Sequence, residues 1–229
     1  MAGDSVGAVI VGAGRSERMG SADKLWLPLP SKDGREEPLI AHTLSPFQRS
    51  GHIDRAVLVV AEDAIDRAET LLEEQGFKKI AVAKGGARRQ DSVLAGLRAL
   101  EGCDWAVIHD GARPLVTGEL IKRGLKEAKE TGASCSAIPI PDTVKEATGG
   151  RIVRTVDRSR LWLAQTPQTF RYDLLVDAHK RASGNATDDA SLVEALGVEV
   201  RIYEGSARNI KVTSTDDLTI VRALLKATW

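Results

Sequence analysis

Short unbroken apolar runs alternate with stretches in which apolar residues recur at helical spacing. Val6 to Val11 is the first run, and its form is that of a strand buried on both faces. Ala56 to Val60 repeats it. Between them Ile40, Leu44 and Phe47 share one helical face, and Ile65, Ala68, Leu71 and Leu72 predict a second amphipathic helix that Gly76 ends. A short strand around Ile80 to Val82 leads into Gly85-Gly86 and then a helix aligning Val93, Leu97 and Leu100. Trp105 to Ile108 reads as a strand, Leu120 to Ala128 as a helix and Ala133 to Ile138 as another strand. Such repetition predicts an α/β fold, Rossmann-like and doubly wound, with a mostly parallel sheet covered by helices on both faces.

The rhythm then breaks. Asp142 to Glu146 and Arg151 to Asp157 are extended in pattern and joined by Thr148-Gly149-Gly150, a hairpin signature. This predicts a projecting β-arm over about residues 139–160. A lone two-stranded hairpin is marginally stable, so the arm is expected to dock on a second subunit or to fold back on its own domain. Helical patterns follow at Tyr172 to Arg181 and Asp188 to Leu196, then a strand at Val198 to Tyr203. An extended piece at Ile210 to Thr213 and a helix from Thr215 to Lys226 finish the chain. With no internal repeat, low-complexity tract or linker, residues 1–229 read as one domain.

Composition narrows the classes. A hydrophobic fraction of 42% supports a substantial core, and 32 basic residues against 32 acidic ones give no net charge. A general binder of nucleic acid or membrane surfaces needs a basic excess, so neither partner is expected. A local basic pocket for a small polyphosphate is compatible with the same total. Cys103 and Cys135 lie in apolar stretches without metal-ligand spacing and read as reduced core thiols. Asp4 precedes the first apolar run without a basic leader, and no run approaches membrane-spanning length. A soluble, cytoplasmic protein is expected.

Three loops carry candidate chemistry. The first strand runs into Gly12-Ala13-Gly14-Arg15-Ser16-Glu17-Arg18-Met19-Gly20, with Lys24 beyond. Small residues at a strand's end let backbone N–H groups approach phosphate oxygens, and Arg15, Arg18 and Lys24 add cations. Equally, the glycines could serve a tight turn and the cations be solvated. A dinucleotide fingerprint fails because Glu17 stands where the third glycine belongs, and the Gly-Lys-Ser/Thr of a Walker loop is absent. The second loop is Gly85-Gly86-Ala87-Arg88-Arg89-Gln90-Asp91-Ser92, either a basic phosphate loop or simple helix capping. The third is Val107-Ile108-His109-Asp110-Gly111-Ala112-Arg113-Pro114, where Asp110 could reach a Mg²⁺–phosphate complex or a ribose hydroxyl, or merely cap the next segment. In a doubly wound sheet such strand-end loops converge on one edge.

Those loops, in that order, resemble the cytidylyltransferases of the non-mevalonate isoprenoid pathway. The likeness continues through Pro-Asp-Thr-Val-Lys (141–145), Thr-Val-Asp-Arg (155–158) and Leu-Trp-Leu-Ala-Gln-Thr-Pro-Gln (161–168). It runs on through Thr-Asp-Asp-Ala-Ser (187–191) and Asn-Ile-Lys-Val-Thr (209–213), covering nearly the whole chain. The resemblance implies attack of an acceptor phosphate oxygen on the α-phosphorus of CTP, with pyrophosphate leaving and Mg²⁺ or another divalent metal accompanying the nucleotide. It implies that Arg18 and Lys24 stabilise charge on the triphosphate, that Arg158 and Lys211 hold the attacking phosphate, and that Thr143 contacts the polyol. These four cations form the expected catalytic set. Gly12, Ala13, Gly14, Gly86, Arg89, Ser92, Asp110, Gly111 and Arg113 are the implied nucleotide-binding residues, with Asp110 also the candidate for placing the metal.

A backbone-lined slot at Ala13 and Gly86 would admit a pyrimidine, and carbonyl acceptors there would prefer cytosine's amino group to the O4 of uracil. The family also implies 2-C-methyl-D-erythritol 4-phosphate as acceptor and a homodimer whose arms complete each other's sites. Gly12 stands where the family usually has Ala, Asp23 where Pro is common before the lysine, and Asp189 where Glu is usual. A ribitol 5-phosphate cytidylyltransferase shares the fold and most motifs and is the nearest alternative. A nucleotide-sensing module without catalysis and a nicotinamide-dependent oxidoreductase are more distant ones.

Overall fold

The computed structural model describes residues 3–14 and 24–227. The first strand, β1 (Val6–Val11), alternates its side chains between two apolar layers, with Ala8 and Ile10 on one side and Val9 on the other. A small antiparallel pair, β2 (Pro28–Pro30) with β3 (Glu36–Pro38), leads into α1 (Leu39–Arg49), which buries Ile40, Leu44 and Phe47. Then come β4 (Arg55–Val60), α2 (Ile65–Glu74) and β5 (Ile80–Lys84), with Gly76 at φ +64° closing the turn after α2. A capping box starts α3 (Arg89–Ala99): the Asp91 carboxylate accepts from the Arg88 N–H at 3.1 Å. The next unit is β6 (Trp105–Asp110), α4 (Gly118–Thr131) and β7 (Ala133–Pro139), where Thr117 caps α4 and Gly132 ends it at φ +91°.

The arm is β8 (Val144–Thr148) and β9 (Arg151–Val156), turning through Gly149 and Gly150, both at positive φ. It forms its own two-stranded sheet, and Ile152 and Val153 are 67% and 60% exposed. The chain returns through β10 (Trp162–Arg171), α5 (Tyr172–Arg181), α6 (Asp189–Glu194), β11 (Arg201–Glu204) and α7 (Thr215–Lys226).

Among the described residues the main sheet has seven strands in the order β11-β7-β10-β6-β1-β4-β5. All run parallel except β10, which is antiparallel to both β6 and β7. Helices α1, α2, α4 and α7 pack on one face and α3, α5 and α6 on the other, so the expected mostly parallel, doubly wound architecture is present.

Two expectations change. The segment Ile210 to Thr213 makes no ladder; it is an irregular stretch tied to the sheet by the Val212 N–H donating to Ala112 O at 2.8 Å. The strand expected from Val198 begins only at Arg201. The antiparallel β10 is a structural addition that the apolar pattern did not announce, because its buried middle is Gln165, Thr166, Pro167, Gln168 and Thr169. Proline and amide side chains argue against a central strand, and the ladder to β7 is irregular there, between Ala164 and Gln168. Both cysteines are free and buried, and burial pushes the Cys135 thiol up to about 12.

Candidate active site

Three glycines place the loops. Gly12 N–H donates to Val59 O at 2.7 Å, Gly85 N–H to Val60 O at 2.7 Å and Gly111 N–H to Val11 O at 2.8 Å. Each extends a parallel ladder one step past its strand before the chain peels away, so the loops after β1, β5 and β6 leave the sheet at the same edge. A side chain on Gly85 would overlap that of Ala13, which is why the first two loops can touch. A Cβ at Gly12 would press on Leu25 and the Val59 carbonyl, so its absence serves packing of the loop on the sheet.

These loops enclose a cavity of about 680 Å³, within the range of small-molecule sites. Of the residues expected at the site, Gly12, Ala13, Gly14, Lys24, Gly86, Arg89, Ser92, Asp110 and Lys211 line it. Gly111 and Arg113 belong to the layer beneath, where Arg113 Nη1 donates to Asn209 O at 2.7 Å. Thr143 and Arg158 do not line the cavity; both are exposed, and Arg158 Nη1 reaches Ile140 O at 3.5 Å. Arg15, Glu17, Arg18 and Asp23 lie outside the described residues.

Asp110 is the electrostatic centre. Lys211 Nζ stands 2.9 Å from its Oδ2, Arg113 Nε 3.5 Å from the same oxygen and Arg89 Nε 3.7 Å from Oδ1. Burial alone would raise this carboxyl's pKa; Lys211, Arg89 and Arg113 override it and hold it well below the usual carboxylate range. Arg89 in turn places Nη2 2.8 Å from Asp189 Oδ2. Three cations thus surround two carboxylates, with Lys24 on the wall, while Lys84–Glu62 and Arg88–Asp91 are paired among themselves. A chain with no net charge therefore carries a locally basic cavity suited to a polyphosphate.

His109 supports this centre from below. Its Nδ1 lies 3.0 Å from Thr166 Oγ1 and its Nε2 3.3 Å from Arg113 O. Nε2 faces the Arg113 carbonyl and so carries the ring proton, which leaves Nδ1 to accept from the Thr166 hydroxyl, whose oxygen in turn accepts the Asp110 N–H at 3.0 Å. Burial holds His109 down at about 4, neutral at physiological pH. Asn209 Nδ2 donates to Thr166 O at 2.7 Å. The strand end carrying Asp110 and the segment carrying Lys211 are therefore bound to one residue of β10.

Sequence reasoning assigned no role to Thr166, Asn209, Asp189 or His179. The first three sat within motifs quoted for the resemblance; His179 gave no signal, being one polar position on an amphipathic helix. As for metal, no group of three or more His, Cys, Asp or Glu among the described residues is placed to hold an ion. Asp110 offers a single carboxylate already contacted by cations. That set fits a divalent ion held mainly by substrate phosphates, and not a dedicated protein cage.

The comparisons agree across the chain. The family model described as IspD, 2-C-methyl-D-erythritol 4-phosphate cytidylyltransferase, matches residues 6–227. A relative of that name from Dehalococcoides mccartyi is 47% identical over 225 residues, covering 97% of each chain. Another from Bacillus licheniformis is 41% identical over 224 residues, covering 96% of this chain and 95% of its own. The crystal structure of the Thermus thermophilus 2-C-methyl-D-erythritol 4-phosphate cytidylyltransferase superposes with a TM-score of 0.79 at 31% identity, covering 95% of this chain and 98% of the other. With the strand-end cavity and its cations carrying the expected residues, the chain belongs to the 2-C-methyl-D-erythritol 4-phosphate cytidylyltransferase family.

Proposed function

We propose that this chain transfers the cytidylyl group of CTP to 2-C-methyl-D-erythritol 4-phosphate, giving 4-diphosphocytidyl-2-C-methyl-D-erythritol and pyrophosphate. The observation that carries the reading is family membership over residues 6–227 combined with a basic cavity at the strand ends. In this reaction a phosphate oxygen of the acceptor forms a bond to the α-phosphorus and the bond to the β-phosphate breaks. Positioning and charge stabilisation are the protein's main contributions to such a transfer. Gly12, Ala13, Gly14, Gly86 and Ser92 line the nucleotide side, Arg18 and Lys24 meet the triphosphate, and Lys211 swings from Asp110 to the acceptor phosphate. Arg113, on the same carboxylate oxygen, holds Asp110 against the pull of the departing lysine. Magnesium, or another divalent cation, supplies charge neutralisation when bound with the triphosphate, and Asp110 is the side chain that would meet it.

Residues 1–229 act as one nucleotidyltransferase domain in this reading, and the arm is the dimerisation element. The exposed Ile152 and Val153, with Trp162 and Leu163 at 41% and 47% exposure, support a docked arm that carries Thr143 and Arg158 into the partner's cavity. The free buried thiols support a reducing, cytoplasmic setting, and no helix among the described residues is long and apolar enough to cross a membrane.

Pyrophosphate release tests the reaction. CTP should be used far better than UTP, ATP or GTP, and 2-C-methyl-D-erythritol 4-phosphate far better than ribitol 5-phosphate. Equal rates with all four nucleotides would overturn the cytidylyl assignment; preference for ribitol 5-phosphate would overturn the acceptor. Co-expression of Lys24→Ala with Arg158→Ala tests the shared site. Each variant alone should be nearly inactive, and random mixing should restore roughly a quarter of all sites, since half the dimers are mixed and each has one intact site.

A further inference from the structure

Arg89 is held from both ends. It opens α3 with its side chain 25% exposed, its guanidinium set between Asp189 at 2.8 Å and Asp110 at 3.7 Å. The Asp189 side chain is fully buried, and its second oxygen, Oδ1, lies 3.0 Å from Nε2 of His179, itself 2% exposed. His179 sits in the last turn of α5, and Asp189 opens α6. The line His179–Asp189–Arg89–Asp110 thus runs from two helices on one face of the sheet to the floor of the cavity.

A dry carboxylate is expensive to bury unless paired, and its field on the partner is weakly screened. Asp189 meets that condition with Arg89 on one side and His179 on the other. Arginine loses much rotamer freedom when it is fixed. Without the buried acid, Arg89 would keep the weaker attraction of Asp188 and the longer contact to Asp110. It would then collapse onto that carboxylate or turn towards water, and either movement removes a cation from the nucleotide wall.

We propose that Asp189 and His179 are positioning residues for the nucleotide: the imidazole orients the carboxylate, and the carboxylate fixes the Arg89 guanidinium against the triphosphate-binding wall. This rests on reading the cavity as the CTP site, so the effect belongs to CTP and not to the acceptor. Asp189→Asn keeps the volume and removes the charge; KM for CTP should rise about tenfold or more, with kcat and the acceptor KM within about twofold. Asp189→Glu restores the charge and should recover most of the affinity. At His179 the informative pair is Gln, which retains an N–H donor, and Leu, which does not. His179→Gln should stay near the parent and His179→Leu should raise KM for CTP severalfold. That pair leaves the carboxylate in place and carries the same readout if Asp189→Asn does not fold.

Arg89→Ala separates the nucleotide role of the wall from the positioning role of the pair behind it. If it leaves KM for CTP unchanged, the nucleotide role of this wall is wrong and the positioning proposal falls with it. If Arg89→Ala weakens CTP binding while folded Asp189→Asn and His179→Leu do not, the cavity reading stands and the positioning proposal is overturned. A lower melting temperature of those two variants with an unchanged KM for CTP overturns it as well, leaving the pair as a clamp between helices.

Discussion

The two halves of the main sheet are built from different chemistry. In the β5-β4-β1-β6 half the buried side chains are mostly apolar, among them Val9, Val57, Val59, Leu58 and Ile108, with His109 and Asp110 only at the end of β6; in the β10-β7 half they include Ser134, Ser136, Gln165, Thr166, Gln168 and Thr169. The first half is held by apolar burial, which is non-directional, and its strand-end loops bring small residues together with Arg89, Asp110 and Arg113 to the site. The second half is held by directed bonds. Gln165 Nε2 donates to Ser206 O at 2.9 Å, Gln168 Nε2 to Asp188 Oδ2 at 2.8 Å, and Asn209 and Thr166 lock the segments bearing Lys211 and Asp110. A backbone cradle tolerates small shifts in its support. A carboxylate facing three cations has its angles set, and Asp110, at the end of β6, is tied to the polar half through the Thr166 hydroxyl.

If that division is real, damage to the apolar half should cost stability and leave kinetics alone. Leu97, fully buried in the last turn of α3, packs in the layer with Val9 and Val57. Leu97→Ala should cost about 2–5 kcal/mol of unfolding free energy in urea titrations. At temperatures where the variant is folded, kcat and both KM values should stay within about twofold. A large change in KM for CTP would show that the cradle depends on the packing beneath it, and the division would fail.

His109 stands on the boundary, on β6 but paired to β10, and offers a pH test. Its folded value of about 4 lies below the ordinary 6.5, because burial disfavours the charged ring. Between those values the unfolded chain takes up a proton that the folded chain does not. The stability it contributes is therefore fully present above pH 6.5 and is lost as pH falls towards 4. The full loss is up to about 3 kcal/mol. His109→Gln should flatten this part of the stability curve relative to the parent, since the other three histidines among the chain's four are common to both proteins. Parallel curves for parent and variant from pH 7 to 4 would show that the buried imidazole does not set this dependence.

The same division explains what could be read in advance. The apolar half was legible because its strands are unbroken apolar runs: β1 falls on the residues that the pattern marks, as do the helices α5 and α7 outside that half. The glycine loops were legible because close backbone approach demands glycine. The polar half was not. The partners of Thr166 and Gln165 lie more than forty residues away, at His109, Asn209 and Ser206, so no local window shows that these groups are satisfied and hence buried. Family likeness marked these segments as important without saying that one is a central strand. Arg158 and Thr143 were named only through that likeness, and neither lines the cavity of the single chain.

The smallest expected effect sharpens the comparison by exchanging the two chemistries at nearly constant volume. Thr166→Val removes the hydroxyl that accepts the Asp110 N–H and donates to His109 Nδ1. Two buried groups then lose a partner in one step, which should cost about 1–3 kcal/mol. Because one of them is the backbone of Asp110, kcat/KM for CTP should also fall severalfold. Thr166→Ser keeps the hydroxyl and gives up a methyl group, so activity should return while a deficit of about 1 kcal/mol persists. The reciprocal exchange, Val57→Thr, places a hydroxyl in the apolar half. Its cost in stability should be similar, because valine and threonine share a shape and differ in what must be hydrogen-bonded. It should leave kcat/KM unchanged, since Val57 supports a backbone cradle and orients no charged side chain. If both exchanges impaired catalysis equally, the polar core would have no special hold on the site; if neither did, Asp110 would be placed by its own ion pairs alone.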